Sequence, residues 1–301
     1  MKRILLTGIT GQLGRELQQT LAPLGEVIGV DRQTWDLAQS EKIGQLITEV
    51  NPDLIVNAAA YTAVDKAETE IELVHAINGT APTIMAEAAQ KIGATLIQIS
   101  TDYVFDGRKN TPYTEEDIPN PINAYGQSKL LGEQGVQHNC DRYIILRTSW
   151  VYGIHGKGNF VKTMLRLGAE REELRVVFDQ VGTPTWTGDI ARVIASLGQQ
   201  ILCAPPHGSS VVGIYHFTNS GAISWYDFAI AIFEEAQLLG FPLKVQRVVP
   251  ITTAEYPTPA TRPAYSVLSS QKISAVLGSH PPYWRNQLRQ MLKQLYYQKV
   301  R

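Results

Sequence analysis

Five short apolar runs, each followed by a segment with helical spacing, limit what this chain can fold into. Arg3–Thr7, Glu26–Val30, Leu54–Ala58, Thr95–Ile99 and Tyr143–Arg147 are near-continuous in apolar residues rather than alternating. Such runs are typical of strands buried on both faces. Between them, Gln12–Leu21, Ser40–Val50, Ile71–Lys91 and Ala124–Gln137 have helical character. Ser40 is a candidate N-cap, and Gly79 and Pro82 are local irregularities. Strands alternating with helices predict a Rossmann-like, doubly wound parallel α/β sheet. Sheets of this kind bind ligands at the carboxyl ends of their strands.

The pattern changes after the fifth run. Val151–Gly158 reads as a glycine-rich loop, Asp189–Leu202 as a helix and Ile214–Thr218 as one more buried strand. A helix at Trp225–Leu238, a proline-rich loop at Pro250–Pro263 and a final helix near Pro282–Tyr297 follow. The expected partition is a dinucleotide-binding domain of residues 1–152 plus about 187–219, with a smaller C-terminal substrate domain of about 153–186 and 220–301. A chain of 301 residues is long enough for both. Its net charge of -1 gives no basic surplus for nucleic acid, and no apolar stretch is long enough for a membrane. The two cations before the first apolar run suggest a signal peptide, but Gly8 and Gly11 interrupt that run too early. Cys140 and Cys203 have no metal or redox spacing, and the histidines are scattered. A reduced, cytoplasmic protein without a zinc site is expected.

The turn after the first run reads Gly8-Ile9-Thr10-Gly11-Gln12-Leu13-Gly14. Glycines at this spacing let the backbone approach a pyrophosphate whose charge meets a helix N-terminus. Asp31 ends the second run, where a carboxylate accepts from a ribose 2′-hydroxyl and favours NAD. Arg32 follows and suits a 2′-phosphate, favouring NADP. The two argue in opposite directions, and NADPH with NADH tolerated is the expectation if Asp31 turns aside. Asp36, beside Leu37, either accepts from an adenine amino group or caps the Ser40 segment. Asn57-Ala58-Ala59-Ala60 is small enough for an adenosine to lie flat, although alanine suits helix–sheet packing equally well.

Tyr125 and Lys129 are four residues apart on a predicted helix and so share a face. An ammonium beside a phenol is expected to lower the phenol pKa from about 10 toward the working pH and make it a proton donor. The lysine can also reach a nicotinamide ribose. A Tyr-x-x-x-Lys pair arises by chance on the order of once in such a chain, so its position after the fourth run carries the weight. Ser100-Thr101-Asp102 ends that run. There Thr101 can hold a substrate carbonyl oxygen beside Tyr125, or the three can cap a strand end. Asn78 offers either a water relay to Lys129 or a helix kink.

Together these residues resemble the extended short-chain dehydrogenase/reductase superfamily. Thr62–Glu68, Ser100–Gly107, Arg147–Tyr152, Asp179–Thr185 and Tyr256–Pro263 narrow the resemblance to the dTDP-4-dehydrorhamnose reductase family over nearly the whole chain. The resemblance implies NADPH-dependent reduction of the 4-keto group of dTDP-4-dehydro-6-deoxy-L-mannose to dTDP-L-rhamnose, a donor for cell-surface polysaccharides. It gives Thr101, Tyr125 and Lys129 as the catalytic set. It puts Val64, Asp65, Asp102 and Trp150 at the sugar, and Gln180 and Arg262 toward the nucleotide half. Some members bind magnesium through glutamates at a dimer interface. Glu16 matches one, but Gly188 stands where another is expected and Met291–Leu295 has no acid. Magnesium therefore stays open, no metal ligand is assigned, and a monomer or homodimer is expected. A sugar-nucleotide epimerase or dehydratase is the enzymatic alternative, though Tyr103 stands where a dehydratase needs a glutamate. A non-catalytic NADP-binding regulatory subunit is the other.

Overall fold

In the computed structural model, which describes residues 1–203 and 211–300, the first strand divides its side chains between two cores. β1 (Arg3–Thr7) sends Ile4 and Leu6 to one face and Leu5 to the other, all fully buried. Every second residue changes face because the strand period is two. α1 (Gln12–Leu21), β2 (Glu26–Val30), α2 (Ile43–Val50) and β3 (Leu54–Asn57) follow. α3 (Val64–Ala67) and α4 (Ile71–His75) come next, and α4 passes through a π-helical turn at Ala76–Thr80 into α5 (Ala81–Ile92). β4 (Thr95–Thr101), α6 (Ala124–Asn139) and β5 (Tyr143–Thr148) complete the first half. The second half holds β6 (Val151–Tyr152), α7 (Phe160–Glu170), β7 (Glu173–Val177), β8 (Val181–Gly182), β9 (Thr185–Trp186), α8 (Thr187–Cys203) and β10 (Gly213–His216). It ends with β11 (Ile223–Ser224), α9 (Trp225–Leu238), β12 (Arg247–Ile251), α10 (Gln271–Leu277) and α11 (Trp284–Val300).

Six strands form one parallel sheet in the order β10–β5–β4–β3–β1–β2. α1 and α8 pack together on the face that carries Ile4 and Leu6. α2, α5 and α6 cover the opposite face, where Leu5 and Ile55 lie. The doubly wound sheet expected from the sequence is therefore present. A third core gathers α7, α9, α11 and β7 into a second lobe around Phe228, Ile232, Leu288 and Met291. Residues 204–210 of the expected returning segment lie outside the described residues.

Several local expectations change. Ser40 does not cap a helix. It opens a short 3-10 turn, Ser40–Lys42, and neither this turn nor α2 has a side-chain cap. Ala58 lies beyond β3. The proline-rich segment is not all loop, since it takes in the end of β12 and a 3-10 turn at Thr253–Glu255, while the Val151–Gly158 loop begins with β6. β12 pairs with β7, so Pro250 sits at an edge, where its missing N–H is tolerated.

Candidate active site

The carboxyl ends of β1 to β5 open into a cleft of about 680 Å³. Of the residues expected to bind or catalyse, all line it except Gly14, Asp65, Gln180 and Arg262. At its floor Gly8 adopts φ 72°, which a side chain would strain, and its carbonyl accepts from the Gly11 N–H at 2.9 Å. A Cβ on Gly14 would lie 2.0 Å from the Gly8 carbonyl oxygen, so the helix can pack this closely only as glycine. The first turn of α1 thus presents free backbone donors to the cleft, and this cradle fits a dinucleotide diphosphate. The Gln12 side chain is already engaged: it donates to the Val151 carbonyl at 3.3 Å and accepts from Asn159 at 3.2 Å. Thr7 holds the far wall, donating to Asn57 and accepting from the Ala59 N–H.

Asp31 and Arg32 engage different partners. The Asp31 carboxylate accepts from the N–H groups of Gln33 and Thr34, each at 3.0 Å, and from the Thr34 hydroxyl. These bonds hold its carboxyl below the usual range and turn it into its own loop. Arg32 keeps a 77% exposed side chain, with its Nε 3.9 Å from Asp36. Asp36 also accepts from the Ala38 N–H, so its carboxylate closes a local turn. Leu37 is buried at the cleft edge.

On the other side of the cleft, consecutive residues of β4 meet α6. Lys129, fully buried, donates from Nζ to the Ile99 carbonyl at 2.6 Å. The Thr101 hydroxyl donates to Asp102 Oδ1 at 3.0 Å and lies against the Tyr125 phenol. Tyr103 packs edge-on against the Tyr125 ring at 5.5 Å. The expected lowering of the phenol pKa by Lys129 is not met. Burial pushes Tyr125 up to about 12; Thr101 draws it back and the Asp102 charge adds to the rise. Burial in turn pushes Lys129 down to about 8. Asp102, buried with its Oδ2 lacking a hydrogen bond of normal geometry, is pushed up to about 6. Asn78 is not free to hold a water through its side chain. It brackets Tyr61, accepting from the Tyr61 N–H and donating to the Tyr61 carbonyl and to Ser128.

Two expected substrate residues bind each other. Arg262 donates bidentately to Asp65, at 3.0 and 2.8 Å, and also to Thr258 and the Ala260 carbonyl. This pair joins α3 to the second lobe one side chain from the cleft, with Tyr103 beside it. Gln180 donates to Thr253 and does not line the cleft, whereas Val64 does. Trp150 lines the cleft with a left-handed backbone, φ 44°, a conformation an aromatic residue rarely adopts. Its ring is stacked on Trp225, centroids 3.5 Å apart, and abuts Gly182. One indole face is therefore taken by protein. Sequence reasoning missed Trp225 and Trp35, which carry no motif, and Asn159, which caps α7 by accepting from the Lys162 N–H.

Among the described residues no group of three or more His, Cys, Asp or Glu side chains is placed to hold a metal. Glu16 has a buried Oε1 without a hydrogen-bond partner, 3.9 Å from His155 Nε2, and Gly188 supplies no second carboxylate.

A family model described as the RmlD substrate binding domain matches residues 1–297. The chain is 44% identical to a dTDP-4-dehydrorhamnose reductase of Burkholderia thailandensis, over 94% of this chain and 95% of that protein. It is likewise 44% identical to one of Escherichia coli K12, over 97% and 98%. Among solved structures it resembles a dTDP-4-dehydrorhamnose reductase of Bacillus anthracis in complex with NADP, with a TM-score of 0.88, 40% identity, and 98% and 100% coverage.

Proposed function

The chain belongs to the RmlD family of dTDP-4-dehydrorhamnose reductases, and from that premise we propose how its own residues do the work. It reduces the 4-keto group of dTDP-4-dehydro-6-deoxy-L-mannose to give dTDP-L-rhamnose, a sugar donor for polysaccharide synthesis. The observation that carries this reading is the convergence of Thr101, Tyr125 and Lys129 on one cleft with the glycine cradle. NADPH, when held there, supplies the hydride. Arg32, exposed beside a carboxylate that has turned away, recognises the 2′-phosphate, and NADH is the weaker alternative.

Thr101 positions the sugar carbonyl oxygen beside Tyr125. With a pKa near 12 the phenol is fully protonated at neutral pH, yet it is a far stronger acid than the alcohol being formed. It therefore gives its proton to that oxygen as negative charge develops. Lys129, an ammonium below about pH 8, steadies the resulting phenolate and reaches the ribose. Val64, Asp102 and Trp150 bound the sugar. We assign Asp65 to the sugar side with them, and Gln180 and Arg262 to the nucleotide side, with Arg262 leaving Asp65 to meet the diphosphate. The sugar nucleotide lies between the sheet and the second lobe, residues of about 153–186 and 220–301. A cytoplasmic setting fits the two unpaired cysteines.

The test follows cofactor absorbance with dTDP-4-dehydrorhamnose and either NADPH or NADH. Turnover with NADPH above NADH is expected. Tyr125→Phe is expected to lose about 10²–10⁴ in turnover with NADPH affinity kept. A Phe variant as fast as the parent removes the acid role, and purification with stoichiometric tightly held NAD would point to an epimerase.

A further inference from the structure

We propose that Glu133 is a positioning residue for the reduction: a buried carboxylate that keeps the Lys129 ammonium charged and ties the catalytic helix to the sheet. The inference rests on the role given above to Lys129. Three successive residues of β4 receive side chains spaced four apart on α6. The Ile99 carbonyl takes Lys129 at 2.6 Å, the Ser100 hydroxyl donates to Glu133 Oε1 at 2.5 Å, and Thr101 meets Tyr125. Side chains at this spacing share one helix face, so Glu133 continues the line that Tyr125 and Lys129 begin.

Glu133 is completely buried and would be costly there without partners. Arg147 of β5 supplies them, donating from Nε at 2.9 and 3.2 Å and from Nη2 at 2.6 Å. Behind it, His216 Nδ1 donates to the Tyr113 carbonyl at 3.1 Å, which leaves Nε2 to accept from Arg147 Nη1 at 3.3 Å. Burial and the Arg147 charge push His216 down to about 3, so it stays neutral and the anion of the network is Glu133. A well-packed apolar pair holds a core together as well as a buried ion pair does, so packing alone does not account for this one. Its neighbour does. Tyr125 lies one turn before Lys129 on its own helix, Asp102 and Tyr103 line the same cleft, and Arg147 reaches the helix through Glu133. Against the burial that depresses Lys129, Glu133 is the charge that raises it.

The experiment titrates the Lys129 amine in the full chain by its 13Cε NMR shift, assigned with Lys129→Arg. The pH profile of kcat/KM with NADPH and dTDP-4-dehydrorhamnose is measured beside it. Glu133→Gln is expected to lower the Lys129 midpoint by about one pH unit or more. The basic limb of the rate profile should move with it, a loss of about fivefold at pH 8. Glu133→Asp, which keeps the charge, should restore most of both. A Gln variant that titrates as the parent overturns the proposal, as does a moved midpoint with an unmoved rate profile. If Glu133→Gln does not fold, the double variant Glu133→Gln/Arg147→Met is compared with Arg147→Met, so that only the carboxylate differs, and equal Lys129 midpoints in those two are equally fatal. Should the parent fail to reduce the sugar, the functional reading falls, while the NMR midpoint still decides the role of Glu133.

Discussion

Asp102 shows what a single side chain costs this molecule. Burial pushes its carboxyl up to about 6, and the Ser266 and Thr101 hydroxyls recover only part of that. A folded-state pKa above the unfolded value gives stability that is full below about pH 4 and lost as pH rises through about 6. At pH 8 the ionised carboxylate therefore costs up to about 3 kcal/mol, taking 1.36 kcal/mol per unit. Asp102→Asn is expected to melt at a higher temperature than the parent at pH 8, with the gap closing at pH 4. Equal gaps at both pH values would show that charge is not the cause. A residue kept at such a cost, beside Thr101, is the kind found where function is bought with stability. Thr101, Tyr125 and Lys129 were legible because four-residue spacing and a strand end predict convergence. The Asp65–Arg262 pair was not, since its members are nearly two hundred positions apart and no periodicity connects them. The phenol pKa was misjudged for a related reason. Spacing tells which residues are near each other, but burial, which dominates Tyr125, depends on what the rest of the chain packs around it.

The helix that carries Tyr125 and Lys129 is set by its contacts rather than by amphipathic pattern. α6 carries glycine at 126, 132 and 135, and a Cβ on Gly132 would lie 2.2 Å from the Asn78 carbonyl oxygen. That oxygen belongs to the π-helical turn at Ala76–Thr80, which cannot swing aside like a flexible side chain. Gly132→Ala is therefore expected to destabilise the fold by about 1–3 kcal/mol and to lower turnover by moving Tyr125 and Lys129 together. Denaturant unfolding and kcat measure the two effects, and an unchanged midpoint would mean that the turn yields. At this scale the sequence yields the long, continuous elements well: α1, β1, β2 and α9 have their expected limits. It yields the second half less well. α7, β7, β12 and α10 escaped, although α7 is as long as α1 and β7 and β12 match β1 in length; β7 and β12 pair only with each other, so exposed residues interrupt their apolar runs. β6, β8, β9 and β11 span two residues each, too few for a period to show.

Across the whole molecule, the buried network around Arg147 sets a limit on acid tolerance. His216 is neutral in the fold, held near 3, against about 6.5 in an unfolded chain. A base with a depressed folded-state pKa gives stability that is present above about 6.5 and lost as pH falls toward 3. Denaturant unfolding between those values should show stability falling by up to about 1.4 kcal/mol per pH unit from this site, with a shallower slope in His216→Gln. An identical slope in the variant would assign the acid sensitivity elsewhere. The alternation of strands and helices made the sheet legible at this scale, together with the return of a late strand to it. How the second lobe packs was not legible, because its core draws on α7, α9, α11 and β7, elements spread over more than a hundred residues.

That late return has a consequence for biosynthesis. β10 forms one edge of the sheet against β5, and α8 covers the face of α1. A nascent chain stopped near residue 186 has already made the glycine cradle, the phenol and the ammonium, yet β5 is an open edge and the apolar stripe of α1 is bare to water. Such a chain is sticky rather than half-finished, and its cleft must wait for translation to pass residue 216 before it has a stable place to stand.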